Sequence, residues 1–134
     1  MTSSHAGAVR LIQGMCLAVC LVVPSTSWAA TEQNFKVNTT EDLVNLCATQ
    51  PSDPLYTPAA NFCEGFLVGA YQYHTYTVAA EGRKPLVCPP SPPPTRNETV
   101  AKFIDWGRMN RSAMGTQPVE GMFQFLAQTF PCRG

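Results

Sequence analysis

From residue 39 onward the apolar positions recur at helical spacings. In VNTTEDLVNLCA, Leu43, Leu46 and Cys47 share a face. Ahead of them Thr39 or Thr40 offers a cap, and Glu41 and Asp42 occupy the first turn, where negative charge is favoured by the helix dipole. This predicts a short first helix. A longer stripe follows: Phe62, Phe66, Gly69, Tyr73 and Thr77, with Tyr76 and Ala80 beside it, return every three or four residues. The pattern predicts a second helix over 58–80, capped by Thr57 with Pro58 in the first position, and with the stripe facing the core. Thr95 and Glu98 have the spacing of a capping box, and Val100, Phe103 and Ile104 then form one face of a third helix ending near Met109. Val119, Met122, Phe123, Leu126 and Phe130 mark a fourth helix, which Pro131 closes. No segment alternates as a strand does; residues 73–78 contain β-favouring types but continue the helical stripe. The expected fold is all-α, a small disulfide-bonded domain resembling a four-helix bundle.

The connectors carry their own signals. The stretch QPSDPLYTP is turn-rich, and NRSAMGTQ is a polar turn between the third and fourth helices. In EGRKPLVCPPSPPPT, Gly82 suits a helix C-terminus and five prolines after Cys88 impose an extended path without internal hydrogen bonds, which stays in place only if it is tied down. Cys88 is the natural tie.

The N-terminus reads differently. A polar start with Arg10 runs into the apolar stretch LIQGMCLAVCLVV, then Pro24, then small residues at Ser27 and Ala29. This predicts a secretory leader over residues 1–29, cleaved after Ala29, and a single exported domain over 30–134. The apolar run is shorter than the ~20 residues of a spanning helix. Met15 and Val19, ahead of Cys16 and Cys20, do not suit a lipoprotein signal. Without the leader the chain keeps eight of nine basic residues and all nine acidic ones, a formal charge of −1, which argues against nucleic acid or an anionic membrane as partner.

Four cysteines remain, Cys47, Cys63, Cys88 and Cys132. An even number in a small exported chain points to two disulfides. No CxxC pair is present and His74 is the one histidine left, so a zinc site and any other cofactor are not expected. Of the three possible pairings, the helix order favours Cys47 with Cys63, across a short connector, and Cys88 with Cys132. Gly65 and Gly69 lie four apart, each at a cost of ~1 kcal/mol relative to alanine in a helix interior. With Phe62 and Phe66 they are expected to form a helix-packing strip. Spacing of this kind also joins membrane helices, but Glu64, Gln72 and His74 on the same helix favour packing inside a soluble bundle. A phosphate cradle is excluded because no strand precedes these glycines.

No catalytic set emerges. His74 sits mid-helix among tyrosines, Glu64 has no second carboxylate on its face, and Glu98 and Asp105 stand seven apart. From the residues alone the chain reads as an exported helical binding module and not as an enzyme. One version of that module is a stand-alone periplasmic chaperone or scaffold that holds clients on an apolar patch near Phe123 and Phe125.

The combination FCEGFLVGAY, VCPP, VAKFIDW and a final FPC resembles the immunity proteins for type VI secretion amidase effectors, the Tai/Rap family, from about Thr39 to Cys132. The chain departs from that pattern at Pro89, where a leucine is usual, and in the proline run to Pro94. The resemblance implies a periplasmic helical protein, able to form a homodimer, that binds a peptidoglycan amidase and plugs its active site. The loop between the third and fourth helices, with Asn110, Arg111, Ser112 and Met114, is the expected partner contact. The Arg83–Lys84 corner with the proline loop is its rival.

Overall fold

A computed structural model describes residues 29–132 of the 134; the predicted leader lies outside the described residues except for Ala29. The fold is all-α. Four helices, α1 (Thr40–Cys47), α2 (Tyr56–Ala80), α3 (Arg96–Met109) and α4 (Pro118–Thr129), are joined by loops, with 3-10 turns at Glu32–Lys36 and Arg111–Ala113. Among the described residues no helix is long and apolar enough to cross a membrane.

Helix α1 lies at the centre. Thr40, Leu43, Val44 and Leu46 are fully buried, and the helix packs against α2, α3, α4 and the first 3-10 turn. Eight residues are too few for a stable isolated helix, so packing and capping hold it. Thr39 is the cap: its hydroxyl accepts from the Asp42 N–H at 3.2 Å, and the Asp42 carboxylate accepts in return from the Thr39 N–H and hydroxyl at 3.0 Å. The same carboxylate accepts from the Asn38 N–H and from the Asn34 amide, joining α1 to the turn before it.

Helix α2 begins two residues before its predicted start. Asp53, not Thr57, prepares its first turn: its carboxylate accepts from the Leu55 N–H at 2.8 Å and its carbonyl from the Tyr56 N–H at 3.0 Å. Pro58 falls in the first turn, where its missing N–H leaves no bond unmade. At the other end Gly82 is left-handed, with φ +60°. The Gly82 N–H bonds back to Ala79 and the Arg83 N–H to Val78, the paired closure that a glycine past the C-cap allows.

The face that α2 turns inward differs from the predicted stripe. Ala59, Cys63 and Leu67 are buried and Phe62 and Phe66 half-buried, whereas Gly69 is exposed and Tyr73 and Tyr76 are each 71% exposed. α2 carries apolar or small residues nearly all the way round, so periodicity alone cannot choose its buried side. Contact with α1 chooses it, through the disulfide from Cys47 to Cys63.

The main core gathers Leu43 and Val44 of α1, Cys63 and Leu67 of α2, Phe103 and Trp106 of α3, and Met122, Phe125 and Leu126 of α4. The Phe103 ring lies 5.3 Å from Phe125 and 6.0 Å from Trp106, and the indole N–H donates to Gln128 Oε1 at 2.8 Å. A smaller cluster of Ala30, Leu46 and Ala59 is covered by Phe35 and Phe62, whose rings meet edge-on. Close helix contacts depend on two glycines. A Cβ on Gly107 would lie 3.0 Å from Val44, and one on Gly121 would overlap the Thr40 side chain.

Candidate interaction surfaces

No group of three or more His, Cys, Asp or Glu side chains able to hold a metal occurs among the described residues. His74 is engaged structurally: its Nε2 accepts from the Leu86 N–H at 3.4 Å and its ring lies 4.9 Å from Phe123. Three surfaces offer contacts.

The first is the expected contact loop, and it proves to be a strut. The Asn110 side chain donates to the Trp106 carbonyl at 2.8 Å, and Ala113 and Met114 turn inward. The Met114 carbonyl accepts from the Glu41 N–H at 3.0 Å and the Thr116 carbonyl from the Thr40 N–H at 2.8 Å. The Thr40 hydroxyl also reaches Thr116 Oγ1 at 2.9 Å and the Gln117 carbonyl at 3.1 Å. Met114 is 5% exposed and belongs to the core, which corrects its assignment to the partner surface. Arg111 and Ser112 stay exposed, next to an exposed Met109.

The second surface is the segment 83–95, fixed at several points. The Cys88 N–H donates to the Phe130 carbonyl at 2.9 Å, Cys88 is bonded to Cys132, and Val87 is buried beside them. At its far end Thr95 caps α3, accepting from the Glu98 N–H, while the Glu98 carboxylate accepts from the Thr95 N–H and hydroxyl. Those bonds from Thr95 hold the Glu98 carboxyl below its ordinary value. Ahead of these ties, with its N–H bonded to His74 Nε2, Leu86 projects, 61% exposed, beside exposed Arg83 and Lys84, with Arg83 paired to Glu81 at 2.6 Å. An apolar tip flanked by two basic residues on a fixed backbone is what a binding loop needs, because little freedom remains to be lost on association. Leu86 escaped sequence reasoning because PLV before a cysteine reads as equally suited to burial, and Val87 next to it is indeed buried.

The third surface is the outward side of α2. Gly65, Gly69, Gln72, Tyr73 and Tyr76 are exposed and uncharged, and nothing lies within 4 Å of a Cβ built on either glycine. The expected packing of Phe62, Gly65, Phe66 and Gly69 inside the bundle is therefore corrected: the two phenylalanines contribute to packing, while the glycines face away from every other helix. The apolar patch considered for a chaperone is not formed either, since Phe125 is 1% exposed and Phe123 packs on His74.

A half-open cavity of about 170 Å³ lies between α2, α3, α4 and the prolines, with Leu67, Met122, Leu126 and Phe130 inside and Glu64 and Arg96 among the residues that border it. These elements are distant in the sequence, and no local pattern signals the cavity.

The family of Rap1a immunity proteins matches residues 39–132 of the chain. No curated protein and no solved structure matches it.

Proposed function

Because the chain belongs to the Rap1a immunity proteins, we propose that it works in the periplasm after cleavage of its leader near Ala29, where it binds and blocks a peptidoglycan amidase effector delivered by type VI secretion. The observation that carries this reading is the family match over 39–132, which spans all four helices and the four cysteines. Two disulfides suit an oxidising compartment. Blocking a hydrolase requires no catalytic group of the inhibitor, only a surface that stays in shape while it fills a cleft.

The contact we favour is the segment around Arg83, Lys84 and Leu86, because its backbone is fixed while these side chains project. The strut at Asn110, Arg111 and Ser112 is the alternative, reduced by the burial of Met114. We assign the uncharged outer side of α2 to a second copy of the chain, with Gly65 and Gly69 admitting a close approach and Tyr73 and Tyr76 supplying apolar area.

The test is periplasmic co-production with a peptidoglycan amidase effector, sought first among the genes next to this one. Protection from lysis and a one-to-one complex are expected. Replacing Arg83 and Leu86 with alanine should weaken that complex by more than ~1 kcal/mol with little change in melting temperature, while replacing Arg111 and Ser112 should not. The reverse outcome moves the contact to the strut, and no protection by the unaltered protein rejects the amidase. Sedimentation of a Tyr73→Glu, Tyr76→Glu variant tests the dimer; a monomer at concentrations where the parent is dimeric is expected.

A further inference from the structure

The cavity behind the proline segment has features that the immunity reading does not use. Its inner wall is apolar, formed by Leu67, Val87, Met122, Phe125, Leu126 and Phe130. Glu64 borders it from α2 and Arg96 from α3, and neither side chain has an ion-pair partner among the described residues. We propose that this cavity is the receptor for one aromatic or branched apolar side chain of the effector, borne on a segment with an acidic residue toward Arg96 and a basic residue toward Glu64. The proposal rests on the immunity reading for the identity of the occupant.

Several observations carry it. The volume, about 170 Å³, matches a single ring, since an apolar cavity of ~150 Å³ accepts benzene. The charged lining residues, Glu64 and Arg96, are more exposed than the buried apolar ones, which suits an occupant that is apolar at its tip and polar where it leaves. Glu64 and Arg96 come from different helices, α2 and α3, so a bound segment with one basic and one acidic residue can meet both charges in one direction only. One wall is formed by Pro89, Pro93 and Pro94, whose rings cannot collapse inward while Cys88 and Thr95 hold both ends. The wall also continues from the Arg83–Leu86 contact, so one partner can reach both. Pockets that accept a partner's aromatic anchor concentrate binding energy in this way.

The experiment has two arms. In the first, N-acetyl-phenylalanine amide and N-acetyl-alanine amide are titrated into the protein while the methyl resonances of Leu67, Met122 and Leu126 are followed. The phenyl probe should shift them saturably and the alanine probe should not. Val68→Phe from α2 and Val100→Phe from α3, both at half-buried positions bordering the cavity, should each abolish the shift. Two variants from different helices guard against one that misfolds. In the second arm, the dissociation constant for the cognate amidase should rise at least tenfold in both variants, and severalfold in Arg96→Glu. No response to the phenyl probe overturns the cavity as a receptor. An amidase bound equally well by the filled variants overturns the cavity's role and leaves the immunity reading standing. A phenyl probe that binds while the unaltered protein binds no amidase overturns the occupant and the immunity reading together.

Discussion

Gly121→Ala should unfold this domain more readily, although alanine is the better helix former. A Cβ at this position would lie 2.8 Å from the Thr40 Cβ and closer still to its Oγ1 and Cγ2. Thr40 cannot move aside cheaply. It is fully buried, and its hydroxyl is held by Thr116 and Gln117. Overpacking of this kind costs ~1 to 3 kcal/mol, and losing a buried hydrogen bond adds ~1 to 3 kcal/mol. The helix propensity of alanine returns ~1 kcal/mol. The net destabilisation should be about 1 to 5 kcal/mol, and its middle value of ~3 kcal/mol is a fall of roughly 1 M or more in urea midpoint at the slope of a small domain. Gly65→Ala and Gly69→Ala should do the opposite, each stabilising by up to ~1 kcal/mol at low protein concentration, because nothing lies near either site. Thr40→Ala removes the two atoms that clash most and leaves the Cβ contact at 2.8 Å, so in that background the Gly121→Ala penalty should shrink without vanishing, a coupling that a double-mutant cycle measures. If Gly121→Ala lies within ~0.5 kcal/mol of the parent, or its penalty is unchanged without the Thr40 side chain, the close approach of α1 and α4 is not as described.

Three further outcomes are expected. Replacing Cys88 and Cys132 by alanine, which opens a separation of 44 residues, should cost ~4 kcal/mol in the loop-entropy account, read by denaturation under non-reducing conditions. Burial pushes the Asp42 carboxyl up, but hydrogen bonds from Asn34, Thr39 and the Asn38 N–H outweigh it and hold the group below its ordinary 3.8. Its contribution is therefore complete above that value and lost as pH falls through the depressed folded value; an Asp42→Asn variant should show a shallower loss of stability in acid, and an identical acid profile would contradict the assignment. Met114→Ala should destabilise by ~2 to 5 kcal/mol, as a core truncation does, while a thermal melt close to the parent's would return Met114 to the surface.

What the sequence made legible was local. Thr95 announces α3 because a cap and its acidic partner lie three residues apart, within reach of a short pattern; for α1 the sequence left Thr39 and Thr40 as alternative caps, and the return bonds to Asp42 select Thr39. Helix α4 was legible as a helix, and Met122 and Leu126 do face the core, but the predicted stripe also took Val119, which is exposed, and left out Phe125, which is buried. Helix α2 was legible as a helix but not as an oriented one: its stripe of Phe62, Phe66, Gly69 and Tyr73 is as regular as the buried line of Ala59, Cys63 and Leu67. The polar turn NRSAMGTQ looked free to project for a related reason. The first N–H groups of α1 need acceptors, and the structure supplies them from Met114 and Thr116, more than 70 residues later in the chain. Composition shows that a turn is polar; it does not show whether those polar groups face water or an orphan helix terminus.

The central position of α1 decides where binding can occur. Its N-terminal donors are satisfied by the strut, its C-terminus is bonded to α2 through Cys47 and Cys63, and its sides are covered by the other three helices. A change in the strut is thus transmitted to the core, so loss of binding there would be hard to separate from loss of folding. The segment 83–95 and the outer side of α2 are different. The segment is fixed by Val87, the Cys88 N–H and a disulfide, leaving Arg83, Lys84 and Leu86 outside the core, and among the described residues the outer side of α2 supports no other helix. Substitutions there can alter association without altering the fold. An inhibitory contact placed on such positions can diverge to follow a changing partner while α1 and its surroundings stay as they are.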